Sequence, residues 1–201
     1  RPKLIEEAAL AFGSSTIVIS IEAIRKSDGS YEVLVDYGRE RTGLDAITWA
    51  FEAVKLGAGE LMVTSIDREG TGKGFDIELT RRIAEEVSVP VIASGGAGKP
   101  AHVDEVITDG AADAVALASL VHYNFLKLYT HDDAEFRSEG NTAFLRGSGS
   151  NSRIEASSIP EIKDHLVRRG IDCRHGLDVA YDHAPYRLEC PVAGESNDDV
   201  L

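Results

Sequence analysis

Apolar residues along the chain follow two alternating rhythms. Four runs are short and nearly continuous: TIVISIEA (16–23), LMVTSID (61–67), PVIASGGAG (90–98) and AVALASLVHY (114–123). Runs of this length, several rich in β-branched residues, are the pattern of parallel strands covered on both faces. Between them apolar residues recur every three or four positions, which predicts helices over Gly43–Leu56, Asp76–Val87 and Ala101–Thr108. Helices run out into two similar phrases, GAGE (57–60) and GAAD (110–113), each leading into the next strand. The expectation is an α/β protein of four parallel strand–helix units with right-handed crossovers.

Such units close either as an open doubly wound sheet or as a barrel. Each run carries a serine near its C-terminal end (Ser20, Ser65, Ser94 and Ser119). Polar strand ends favour the barrel, whose site gathers at that face. A closed (β/α)8 TIM barrel takes about 250 residues, and four units are half of one. A first helix, with Leu4, Ile5, Ala8 and Leu10 on one face and Gly13 at its end, has nothing before it, so further residues are expected upstream of Arg1. Half a barrel is also expected to expose strand edges at 16–22 and 114–118, and therefore to dimerise or to depend on a missing N-terminal half.

Three stretches interrupt the rhythm. In the long first connection, a turn at Asp28-Gly29 and the alternation Tyr31–Tyr37 predict a small hairpin. Residues 125–157 read as a polar insertion. A short helix follows over 158–170, with Ser158 as cap, Pro160 in the first turn and Ile159, Ile162 and Leu166 on its apolar face. The expected organisation is a half-barrel domain over 1–175 and a disordered, mobile tail over 176–201.

A formal net charge of −13, with Lys and Arg scattered among acids, argues against nucleic acid as a partner. No run approaches the roughly 18 to 20 apolar residues of a membrane span, and no membrane role is expected. Two cysteines do not make a disulfide framework, which predicts a reducing, cytoplasmic setting. Cys173, His175, His183 and Cys190 match no standard zinc spacing, and neither metal nor cofactor is expected.

The candidate chemistry lies at the strand ends. SGGAG (94–98), between a strand and a helix, suits a phosphate: glycines let backbone N–H groups approach it, and the helix end favours negative charge. One strand later, Ala118 and Ser119 extend the same site. Asp67 ends its strand and can exchange protons or hold a substrate hydroxyl, or it can cap its own turn. Glu69 and Gly70 follow in that turn, offering an acid and backbone donors. Glu22 at the first strand's exit suits acid–base work across a pocket, or an ion pair to Arg25. Glu60 lies at the entering end of its strand, where a solvated junction residue is the simpler reading.

Two long phrases carry a specific resemblance. GRERTGLDAITWAFEAVKLGAGELMVTSIDREGTGKGFDIELTRRIAEEVSVPVIASGGAG (38–98) and GAADAVALASLVHY (110–123) resemble the C-terminal half of the cyclase subunit of imidazole glycerol phosphate synthase. The match spans roughly residues 1–123 and resumes at IPEIKDHLVRRGIDCR (159–174). The resemblance implies the C-terminal half of a TIM barrel from histidine biosynthesis. Its reaction is an ammonia-dependent cleavage and cyclisation of a phosphorylated ribotide to imidazole glycerol phosphate and aminoimidazole carboxamide ribotide. It further implies a glutaminase partner supplying ammonia through the barrel, with Glu60 at the channel gate.

The resemblance places the second substrate phosphate on Ser94, Gly95, Gly96, Ala118 and Ser119, with Thr64 and Gly70 lining the pocket. Of two family aspartates, the first falls in the absent half. The second aligns with Glu22, and Ile24 replaces the basic residue beyond it. Glu69 stands where the turn's acid is usually Asp. A carboxylate displaced by near 1 Å can cost about a hundredfold in rate, so little cyclase activity is expected of this chain alone. Two rivals stand beside this reading: the sister isomerase of the same pathway, and a non-catalytic phosphate-binding half-barrel.

Overall fold

The computed structural model describes residues 1–128 and 153–174, the side chains of 126–128 excepted. Helix α1 (Lys3–Phe12) and a 3-10 turn (Ser14–Thr16) lead into β1 (Val18–Arg25). Strands β2 (Tyr31–Val35) and β3 (Glu40–Asp45) precede α2 (Ala46–Lys55). Then come β4 (Glu60–Ser65), α3 (Ile77–Glu86), β5 (Val91–Ser94), α4 (Pro100–Thr108), β6 (Ala114–Ala116), α5 (Ser119–Leu128) and α6 (Ile159–Arg168).

The strands form one sheet in the order β3-β2-β1-β4-β5-β6, in which β1, β4, β5 and β6 are parallel and β2 and β3 antiparallel. Because side chains alternate across a strand, register decides which residues share a face. Ile21, Val63 and Ala93 lie in one row and are buried. Ile21 and Val63 share a core with Ala46, Ala50 and Ala53 of α2 and Leu79 and Ile83 of α3. Ala93 joins Val103 and Val106 of α4 and Ile162 and Leu166 of α6 in a second cluster. Helices thus cover the same face of the parallel strands, which fits a TIM-barrel family and not a doubly wound sheet with helices on both faces. The neighbouring row, on the other face, is Glu22, Thr64, Ser94 and Ala116, all half-buried.

Several expected boundaries move. Residues 43–45, assigned to the second helix by apolar spacing, belong instead to β3; Asp45 accepts from Thr48 N at 2.9 Å and starts α2 one residue later. The expected strand 114–123 is a strand of three residues followed by α5, because Ser119 opens a helical turn that the apolar run concealed. The hairpin is larger than anticipated, and it pairs Glu22–Arg25 with Tyr31–Leu34. The expected bare edge at 16–22 is therefore covered from Glu22 onward, while Val18–Ile21 have their strand partner on the β4 side.

The expected insertion 125–157 also contracts. Helix α5 continues through Leu128, and 153–157 are held in place: Glu155 N donates to Gly98 O at 2.7 Å and Ser157 N to Leu120 O at 3.2 Å. Residues 129–152 and the expected tail lie outside the described residues. In α6, Ser158 and Glu161 form a reciprocal capping box, each side chain accepting from the other's backbone N–H.

Candidate functional site

The C-terminal ends of β4, β5 and β6 surround a cavity of about 130 Å³. Ser94, Gly95, Gly96, Ala118, Ser119, Glu69 and Gly70, all singled out from sequence, line it, as do Gly72, Ala97, Ala116 and Leu117. Ser119 opens the ten-residue helix α5, whose first-turn N–H groups carry partial positive charge. Backbone amides and two hydroxyls in such a place can receive a small anion.

Two loops make the cavity wall, and they are locked together. After β4 the chain turns tightly, with Arg68 N and Glu69 N both donating to Ser65 O (3.1 and 2.9 Å) and Thr71 N to Arg68 O at 3.0 Å. Gly74 N then donates to Gly96 O at 2.8 Å, joining this turn to the glycine loop after β5. A Cβ on Gly96 would overlap the Gly74 carbonyl, so the approach depends on glycine. The backbone at Gly95 and Gly96 is left-handed (φ 87° and 102°), a conformation glycine adopts without steric cost.

The remaining sequence candidates divide. Thr64 is in the row with Ser94, and its Cγ2 lies 3.5 Å from the place a Gly95 Cβ would take. Glu22 is in the same row one strand away; its Oε2 approaches within 3.8 Å of the equivalent place at Gly38 in the hairpin tip. Its simpler reading, an ion pair to Arg25, is overturned, because Arg25 reaches Glu78 at 2.7 Å. Asp67 does not line the cavity: its Oδ2 accepts from Arg25 N at 2.7 Å, clipping the end of β4 to the end of β1. Glu60 pairs with Val18 at the opposite end of the sheet and is half-buried.

Sequence reading missed the residues that hold these loops. Buried Asp76 accepts from Leu79 N (3.1 Å), Tyr31 OH (3.0 Å) and Ser65 Oγ (3.4 Å), fixing α3, the hairpin and β4 at one point. Its signal was visible only as a polar residue ahead of a helix. Burial, with the Asp76 carboxylate beside it, pushes the Tyr31 hydroxyl well above the usual tyrosine range.

His102 of α4 is the second such residue. Its Nδ1 accepts from Gly98 N at 3.0 Å, which requires that nitrogen to be unprotonated. Burial lowers its pKa, helped by Lys99 and opposed by Glu105. A histidine with a depressed folded pKa binds fewer protons than the unfolded chain, so stability rises with pH in that window. The expected result is a melting temperature that falls as pH drops from 7 through about 6.5 and levels below the lowered value. In His102→Gln that part of the slope should vanish, as thermal unfolding in matched buffers would show.

Among the described residues, no three His, Cys, Asp or Glu side chains converge to hold a metal. Cys173 is a free thiol, and His175, His183 and Cys190 lie outside the described residues. No helix among the described residues is long and apolar enough to cross a membrane.

The family model described as "Histidine biosynthesis protein" matches residues 1–127. The imidazole glycerol phosphate synthase subunit HisF of Nostoc sp. (strain PCC 7120) is 52% identical over 139 residues, covering 65% of this chain and 54% of that protein. The protein of the same name from Symbiobacterium thermophilum is 53% identical over 122 residues, covering 61% and 48%. That from Alkaliphilus metalliredigens is 50% identical over 123 residues, covering 61% and 49%. The chain thus spans about half the length of the curated relatives it matches.

Proposed function

Since this chain belongs to the histidine biosynthesis protein family, we propose that it supplies one phosphate-binding half of an imidazole glycerol phosphate synthase cyclase. The observation that carries this reading is the cavity in which the glycine loop after β5, Ser94 and the start of α5 at Ser119 meet. One phosphate of a ribotide substrate sits there on backbone N–H groups and hydroxyls, without metal or other cofactor. The substrate's chain then runs along the row Ser94, Thr64 and Glu22, which leads away from the cavity across adjacent strands. Glu22 serves as the acid–base group of this half. Asp67 acts mainly by holding the strand ends in register through Arg25 N, beside any proton transfer from its second oxygen. Glu60, at the far end of β4, is placed to meet ammonia arriving from a glutaminase subunit on that side.

The four parallel strands form a half-barrel that works with an N-terminal half or a second copy. Support comes from α1, where Leu10 and Phe12 are 82% and 74% exposed, and from Val18, 49% exposed at the bare stretch of β1. Large apolar groups left in water on α1, together with a strand edge unpaired among the described residues, call for a partner. The relatives' names point to the cyclase and not to the isomerase. A binding module without catalysis is favoured by one observation, the engagement of Asp67 with a backbone amide.

The test has two steps. Glycerol 3-phosphate titrated into the isotope-labelled chain is expected to shift the amides of Ser94–Gly96 and Ser119. The chain is then mixed with a separately produced N-terminal half and assayed for ammonia-dependent cyclisation. Amide shifts without turnover in the mixture would select the binding module; no shifts at all would reject the phosphate site.

A further inference from the structure

The cavity assigned to phosphate has one charged lining side chain among the described residues, and it is an acid, Glu69. Its position is specific. Glu69 N is pinned to Ser65 O at 2.9 Å, so the side chain starts from a fixed point in the turn. Its Oε2 lies 2.7 Å from the place a Cβ on Gly95 would occupy, inside the space that glycine leaves open. Ser65 O closes the same space from behind at 3.1 Å. Glu69 and Gly70 are both exposed, so the carboxylate has solvent beside it to swing into.

We propose that Glu69 is an affinity-determining residue whose carboxylate competes with the incoming anion for the glycine loop. An oxyanion entering the cavity that Glu69 and Gly95 both line meets a like charge there, so the anion binds with Glu69 rotated out. Two unit charges about 4 Å apart interact appreciably even near a protein surface, and solvent exposure reduces the effect toward its aqueous limit. Glu69 thereby limits occupancy by free phosphate while leaving the neutral donors of the cup in place. This inference rests on the phosphate reading of the cavity.

The experiment measures the dissociation constant of inorganic phosphate for the full chain by amide chemical-shift titration at fixed ionic strength. Glu69→Gln is expected to bind roughly five- to tenfold more tightly than the unaltered chain. Glu69→Asp, which keeps the charge but withdraws it by one methylene, should fall between them. Glu86→Gln, an exposed change at the far end of α3, controls for net charge and should leave the constant unaltered. Thermal melts of each variant establish that all are folded. Equal affinity of the unaltered chain and Glu69→Gln, or weaker binding by the variant, would overturn the competition while leaving the phosphate site intact. An equal gain in Glu86→Gln would reduce it to bulk charge and overturn it too. Failure of every variant to bind phosphate would instead remove the site itself.

Discussion

Replacing Gly96 by alanine is expected to destabilise the protein by about 3 kcal/mol or more and to abolish phosphate binding. Two costs add. At φ 102° a side chain is forced into left-handed backbone, at roughly 1–2 kcal/mol. The new methyl would also overlap the Gly74 carbonyl and sit 2.8 Å from Arg68 Cβ. The first of these obstacles is backbone that cannot rotate aside, and overpacking of this kind costs roughly 1–3 kcal/mol. Relief requires the β4 and β5 loops to separate, breaking the Gly74 N to Gly96 O bond of 2.8 Å and opening the cavity wall. Gly70→Ala is the informative comparison. Gly70 lies in the same cavity lining at φ 68°, but nothing approaches its Cβ position within 4 Å, so the backbone term alone remains. Urea unfolding of both variants separates the two contributions, and equal losses would show that the Gly74 contact is unimportant.

Asp76→Ala should cost a comparable amount for a different reason. Removing the carboxylate takes away the cap of α3, worth about 1 kcal/mol. It also strands the Tyr31 hydroxyl, in a residue with no exposed surface, and a buried donor left unpaired costs roughly 1–3 kcal/mol. Ser65 Oγ, 3.4 Å away, loses the same partner. Tyr31→Phe alone should be milder, because it deletes the donor and leaves Asp76 bonded to Leu79 N. The double variant should then cost less than the sum of the single ones, since the stranded hydroxyl is gone. Strict additivity in a double-mutant cycle would mean that the buried bond contributes nothing. The hairpin should respond most: Arg25 and Arg82 each lie 5.7 Å from the Tyr31 ring centroid, so loosening that ring frees the strand beside Glu22.

Much of the architecture could be read from hydrophobic spacing, because burial on a strand or helix face imposes a period that local sequence must obey. The alternation of four strands with helices, the glycine loop after β5 and the Ser158 start of α6 all appeared in this way. The cavity lining was legible for a related reason. Glycines and serines at strand ends are unusual in a packed interior, and strand ends converge in any parallel sheet of this kind.

What local pattern could not decide is the pairing of distant groups. The turn at Asp28-Gly29 announced a hairpin, but not that it would cover β1 from Glu22 onward, since edge pairing is decided by which strand lies next in space. Asp67 was a carboxylate at a strand end in either view, yet only the fold brings Arg25 N to it across 42 positions of chain. An ion pair of Arg25 with Glu22 was one of two readings open from proximity in sequence, and three-dimensional packing hands Arg25 to Glu78 on α3. Glu69 was identified as a member of the site; that its Oε2 lies 2.7 Å from the place of a Gly95 Cβ depends on how the two loops meet. Periodicity is a property of single elements, whereas hydrogen bonds and charge contacts between elements depend on the angles at which those elements meet.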